Sequence, residues 1–403
     1  MASPIASFTL DSHVKSDDHD DEPHTPWLLI VVVAVIGIGY LFPFSALTQP
    51  VDYWSVLFPD FNIEFAITCV FLYTNLVTLG LLVAFGSTDI SYTRRIVGGF
   101  IGQFLVLVFV PLEYHLFSTE TAHKVAILAA TAVAAIATAF LDSCVIALVA
   151  TYPLSAQAAL QFGVGFSTLI GAMYRDLTKL AFPTTAVVTS SALYFYIGAV
   201  TVGVCIGAYF VLLRLRASHT VGCGHESGLL HDSVAEGPNR WSVLRKCVRN
   251  QVQISLLFFT TLCLWPPLVT EMRSFNCPEL QATGWWPLLL LTSFAVADCL
   301  GRLLVSYRCG LTKDNIWKPI VVRMLLVPCI VLTVRGVWFT HDAWSVLFVT
   351  LLGFTNGYHG SLAIIFVSDC VEATERGIAG TFTGFFLSAG LVLGSTVGLL
   401  LPK

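Results

Sequence analysis

The feature that most limits how this chain folds is a repetition. Apolar segments of about twenty residues recur from residue 27 to the end, separated by polar connections. They lie near 27–49, 64–86, 96–117, 125–151, 155–174, 183–213, 252–272, 286–307, 317–337, 343–366 and 377–401. Roughly 20 apolar residues cross the hydrocarbon core of a bilayer as a helix, and backbone groups with no water to bond must bond to each other there. The composition agrees. Of 403 residues, 56% are hydrophobic and 11% charged, with a mean hydropathy of +0.79, whereas soluble domains carry about 25% charged residues. The expected fold class is an all-α integral membrane protein with about eleven transmembrane helices.

The longest polar interval, 214–250, divides these segments into six (27–213) and five (251–403), and is expected as a cytosolic loop. Residues 1–26 hold the acidic run Ser16-Asp17-Asp18-His19-Asp20-Asp21-Glu22. Without a basic region leading into a short apolar core they are not a signal peptide, and their composition predicts a disordered cytosolic tail. With the N-terminus inside, thirteen lysines and arginines fall on the cytosolic side and six on the other. The positive-inside rule therefore predicts a cytosolic N-terminus and, with an odd number of spans, an extracytosolic C-terminus.

Several function classes are disfavoured. A basic face for nucleic acid is not visible. The eleven cysteines are scattered, without a paired metal-site or disulfide pattern. No catalytic or nucleotide-binding fingerprint occurs, so neither an enzyme nor a cofactor or metal is indicated. Small residues at four-residue spacing, Gly203/Gly207, Gly380/Gly384, Gly390/Gly394 and Gly394/Gly398, are expected to bring helix backbones together.

The few polar residues inside the spans carry the chemistry. Asp298 and Arg302 sit one turn apart on one face of the eighth segment. A charge at the bilayer centre costs roughly 2.5–3.5 kcal/mol or more, so the pair should face protein or a wet cavity. It either locks a helix contact or holds a polar solute. Asp142 in the fourth segment reads as a cavity-lining acid, a protonatable coupling group or a helix-interface hydrogen-bonding group. Gln161, in Gln161-Phe162-Gly163-Val164-Gly165, reads as a partner for a polar ring edge or for a neighbouring backbone. Phe44, in a first segment kinked by Gly37, Gly39 and Pro43, reads as a stacking ring or a packed one. Asn356 and His359 are possible accessory groups, and Arg323 is placed to snorkel towards the cytosol.

Four strings together resemble the equilibrative nucleoside transporter family. They are Asp298-Cys299-Leu300-Gly301-Arg302 (D-x-x-G-R), Arg323 to Pro328 (R-x-x-x-x-P), Asn356-Gly357-Tyr358 after His341-Asp342-Ala343-Trp344, and the run from Gly380 through Phe385-Phe386-Leu387 to Gly394. The resemblance covers about residues 34–400. It implies a major-facilitator-like fold of two helix bundles, six plus five, around a central cavity that opens alternately to each side without ATP. It implies nucleoside transport, in some members nucleobase transport, with Asp298 and Arg302 on the ribose, Gln161 on the base and Phe44 where many members carry tryptophan. Here Pro43-Phe44-Ser45 stands in place of P-W-N. The expected partners are a nucleoside or nucleobase and the bilayer, with a monomer as the working unit and the plasma membrane as the location. Two alternatives are a major-facilitator carrier of another small polar solute and proton-coupled transport of nucleosides or nucleobases. A receptor without flux is disfavoured by eleven spans.

Overall fold

The computed structural model describes residues 27–85, 92–183, 185–222 and 239–401. The tail expected over 1–26 and residues 223–238 of the expected loop lie outside these. The described chain is helical: α1 Trp27–Thr48, α2 Val51–Leu57, α3 Ile63–Phe85, α4 Tyr92–Leu116, α5 Glu120–Asp142, α6 Val145–Val149, α7 Leu154–Ala181, α8 Val187–Gly222, α9 Arg240–Leu264, α10 Pro278–Ala282, α11 Trp285–Leu303, α12 Trp317–Arg323, α13 Leu326–Val334, α14 Asp342–Ser368 and α15 Arg376–Leu400. No strand occurs among the described residues. Eight of the described helical spans are long and apolar enough to cross a membrane. Three more, α7, α9 and α14, are 28, 25 and 27 residues long. They are richer in buried polar and small residues because much of their surface meets other helices.

The outward faces are made for lipid. On α3, Val77, Leu81 and Phe85 form an i, i+4, i+8 stripe that is 61, 55 and 80% exposed. In water such a stripe would drive association; in hydrocarbon it is simply solvated.

Two departures from the expected segments have local causes. The polar interval is narrower than 214–250, since α8 runs to Gly222 and α9 starts at Arg240, capped by Asn239, whose side chain accepts from the Trp241 N–H. The segment at 317–337 is broken into α12 and α13 around Met324-Leu325. Pro328 explains the break: it has no N–H to give residue 324 and its ring crowds that carbonyl.

The elements pack as two groups. Helices α1, α3, α4, α5, α7 and α8 contact one another, and α9, α11, α12, α13, α14 and α15 do likewise. They meet along two principal seams, α7 with α11 and α3 with α15. Close approach at several seams depends on glycine. A Cβ on Gly357 would overlap the Asp298 carbonyl, and one on Gly301 would lie 2.5 Å from the Phe354 carbonyl oxygen, so α11 and α14 touch backbone to backbone. The last-helix glycines behave similarly: Gly390, Gly394 and Gly398 face α9, while Gly380 and Gly384 meet α6 and Asp142. Gly203 and Gly207 do not. Among the described residues nothing lies within 4 Å of the space their side chains would fill, so the contact expected from that spacing is corrected.

Candidate functional site

Between the two groups lies a central cavity of about 110 Å³. Phe44, Asp142, Gln161, Asp298, Arg302 and Asn356 all line it, drawn from α1, α5, α7, α11 and α14. The remaining accessory candidate, His359, does not; its ring stands against Tyr358 with centroids 5.3 Å apart.

Each placement follows from local packing. In α1, Gly37 lies against the backbone of α7, and Gly39 against Cys205 and Phe100. That tight seat carries Tyr40 and Phe44 to the cavity wall, where Phe44 meets Phe71 at 4.8 Å between centroids. Gly165 of α7 leaves the room that the Arg302 side chain occupies, since a Cβ there would overlap its stem.

Asp298 and Arg302 are 2% and 5% exposed, and Arg302 Nε donates to Asp298 Oδ2 at 2.8 Å. The second Asp298 oxygen accepts from Asn356 Nδ2 at 2.7 Å. Arg302 Nη1 reaches across the α7–α11 seam and donates to the Gln161 side-chain oxygen at 3.0 Å and its carbonyl at 3.3 Å. The pair is therefore both a helix lock and a cavity wall. Among the described residues neither Arg302 Nη2 nor Gln161 Nε2 has a protein hydrogen-bond partner, and neither is a sealed, unsatisfied atom. Donors at Arg302 and Gln161, and the spare lone pairs of Asp298, are what the cavity offers a polar solute.

A second polar group stands on the α3–α5 wall. Asn75 Nδ2 donates to Asp142 Oδ2 at 2.9 Å, Tyr40 lines the same part of the cavity, and Ser388 of α15 donates to the Asn75 oxygen at 2.8 Å. No cation is in ion-pair contact with Asp142 among the described residues. The helix breaks at Ser143, and its freed carbonyl accepts from Thr381 of α15 at 3.3 Å.

Arg323 corrects the sequence expectation. It is 3% exposed and does not snorkel. It donates to the carbonyls of Leu257 and Leu352 and to the hydroxyls of Thr261 and Thr355, at 2.7 to 3.0 Å. The α12–α13 break ends α12 at this residue and directs it into the protein. Asn75, Ser388, Tyr40, Thr261 and Trp265, all lining the cavity, were not singled out as site residues from sequence. Each is a neutral polar or aromatic residue in an apolar helix, with no charge to mark its cost.

Two further cavities flank the central one. One, of about 190 Å³, lies at the α2 end and is lined by Gln49, Glu64, Pro266 and Glu271. Trp265 borders both it and the centre, its ring stacked on Phe294 at 5.0 Å. The other, at the end where α6 meets α7, is only about 20 Å³ and shares Gln161 and Ile364 with the centre.

Comparison with known proteins agrees with this geometry. The family model described as "Nucleoside transporter" matches residues 225–402. Equilibrative nucleotide transporter 8 of Arabidopsis thaliana is 27% identical over 92% of this chain and 94% of its own length. Human equilibrative nucleoside transporter 4 is 23% identical over 98% of this chain and 85% of its own. Among solved structures, a major-facilitator proton:xylose symporter bound to 6-bromo-6-deoxy-D-glucose superposes with a TM-score of 0.61 at 10% identity, covering 93% of this chain and 94% of that one. A bacterial homologue of the iron transporter ferroportin, outward-facing, gives 0.61 at 15% identity over 94% and 92%. The solved structures speak for the major-facilitator-like fold. These two relatives align along nearly the whole length, through the span that holds Asp298 and Arg302, so the chain is similar to the equilibrative nucleoside and nucleotide transporters in both of its helix groups.

Proposed function

We propose that this protein moves nucleosides across a membrane by alternating access, down their gradient, using the central cavity as its one solute site. The observation that carries the reading is the Arg302–Gln161 hydrogen bond across the α7–α11 seam, beside the Asp298 carboxylate and the Phe44 ring. A ribose has vicinal hydroxyls, each both donor and acceptor. They match the Asp298 lone pairs and Arg302 donors. The base has a flat face for Phe44 and a polar edge for Gln161. A solute that takes donors now shared between Arg302 and Gln161 competes with a bond joining the two bundles. Binding and rearrangement are thereby linked through one differential interaction.

The cavity sizes fit a closed stage of such a cycle. A cavity of about 150 Å³ holds a benzene, so about 110 Å³ is too small for a nucleoside, and the bundles must part to admit one. The wider α2-end cavity, above Trp265, supports entry from that side in this state. With the positive-inside assignment that end is extracytosolic, the N-terminus is cytosolic and the C-terminus extracytosolic. On this reading α7, α9 and α14 cross the membrane with the other helices, giving eleven spans. The protein works as a monomer, placed in the plasma membrane, and nucleobases are a second substrate class because the base contacts do not require the sugar.

The test is uptake of radiolabelled adenosine, inosine, uridine and free bases into transport-deficient cells. Saturable nucleoside uptake is expected. Asp298→Ala and Arg302→Ala should abolish it at equal surface abundance, and undiminished uptake in both would remove the site assignment.

A further inference from the structure

We infer that Arg323 governs sugar recognition from outside the cavity, as the positioning residue of a hydrogen-bond relay through Thr261 and Asn356 that aims Asp298. The inference rests on the reading of Asp298 as the ribose-contacting acid and goes beyond it.

The relay has one direction, and the chemistry of its members sets it. An ionised carboxylate only accepts, so Asn356 must turn its amino group to Asp298 Oδ1, 2.7 Å away. The Asn356 oxygen then faces Thr261, whose hydroxyl donates to it at 2.7 Å. The threonine's one proton is thereby committed. The carbonyl of Leu257, at 3.1 Å from the same hydroxyl, instead receives Arg323 Nη1 at 2.7 Å. The lone pairs of Thr261 accept from Arg323 Nη2 at 2.8 Å. Every donor from Arg323 onward points towards Asp298.

Cost gives the second reason. Arg323 is buried, and its four hydrogen bonds all end on neutral oxygens. A buried guanidinium without a carboxylate is expensive to keep, and hydrocarbon side chains would fill the same space. The relay supplies what offsets that cost: Asp298 serves as a counter-charge two residues away, and each link is polarised by the next. Asp298 is thus gripped on one oxygen by Arg302 and on the other by Asn356. Its remaining lone pairs are held at fixed angles for a solute.

Thr261 is the link to cut, because valine keeps its shape and removes only the hydroxyl. Transport kinetics would be measured for uridine and for 2′,3′-dideoxyuridine, which lacks the hydroxyls that Asp298 would contact. In Thr261→Val the KM for uridine is expected to rise about tenfold, the scale of one hydrogen bond to a charged group. The KM for the dideoxy compound and the maximal rate per surface molecule should change little. Thr261→Ser should restore the wild-type ratio. Thr355→Val is the control, since Thr355 also bonds Arg323 but lies off the relay; its ratio should stay at the wild-type value. The ratio is independent of protein abundance, and Thr261→Ala serves where the valine variant does not reach the membrane. Equal shifts for both substrates, an unchanged ratio in the Thr261 variants, or the same shift in Thr355→Val would overturn the relay. A wild type that does not prefer uridine over its dideoxy analogue would overturn the ribose assignment and the relay with it.

Discussion

At the scale of single residues, the two buried acids of the cavity are treated differently. Asp298 has a guanidinium on one oxygen and an amide on the other. Asp142 has the Asn75 amide, with Tyr40 on the same cavity wall, but no cation. A buried charge without a partner is costly, whereas an amide in the same place carries no charge and its oxygen can still accept from Asn75. Asp142→Asn is therefore expected to raise the thermal midpoint of the detergent-purified protein by about 1–2 °C, scaled down for its length from the usual relation between stability and midpoint. A lowered midpoint would mean that the negative charge itself is stabilised there. Arg302 allows a sharper prediction. Lysine cannot hold Asp298 and Gln161 at once, because its donors radiate from one atom. Arg302→Lys should lose at least about tenfold in nucleoside uptake, as expected when a charged hydrogen bond is given up, while surface abundance stays unchanged. Uptake within twofold of wild type would show that charge alone suffices at this position.

At the scale of elements, what could be read from the sequence depended on whether a residue announces its own cost. Asp298 and Arg302 did, because two charges in an apolar span have few tolerable surroundings, and both line the cavity. Arg323 also carried a charge, yet its place near the start of the ninth segment suggested escape towards water. The clue against that lay in Pro328, four residues beyond the carbonyl where the helix breaks. Thr261, Asn75 and Ser388 carried no such mark, since a hydroxyl or amide in a membrane helix can bond its own backbone as readily as a neighbour. Glycine spacing was equally blind to direction: the pattern at Gly203/Gly207 matches that at Gly390/Gly394, but only the latter meets a helix. Substitution separates the two kinds. Gly357→Ala would drive a methyl into the Asp298 carbonyl and should destabilise the protein by about 1–3 kcal/mol, the usual cost of overpacking, while disturbing Asn356 beside it. Gly203→Ala should be neutral or stabilising by up to about 1 kcal/mol from helix propensity. Thermal melts of the two purified variants decide the matter, and equal melting points would contradict the seam.

At the scale of the whole molecule, the arrangement must let two bundles separate at one end while they stay joined at the other. The contacts at the two ends are alike in being few and polar. At the α2 end, Thr292 of α11 donates to Asp176 of α7 at 3.0 Å, Lys179 lies over the Trp285 ring at 5.0 Å, and Tyr73 of α3 meets Thr396 of α15 at 2.7 Å. At the other end, Ser368 reaches Gln157 at 3.4 Å and Thr381 reaches the Ser143 carbonyl at 3.3 Å. These are single polar links between rigid helices, so they can be exchanged without repacking a core, and small changes in solute contact can tip the balance. A covalent link across the α7–α11 seam should stop the cycle while leaving the cavity itself intact. In Thr292→Cys/Asp176→Cys, a short bifunctional thiol reagent is expected to cut nucleoside uptake at least tenfold, with recovery when the cross-link is cleaved; the order of magnitude is what loss of about 1.4 kcal/mol or more in access to the open state produces. The wild type treated identically controls for its own cysteines, and each single variant should retain uptake. A cross-linked double variant that still transports at the wild-type rate would show that this seam stays closed throughout transport, and that solute enters by another route.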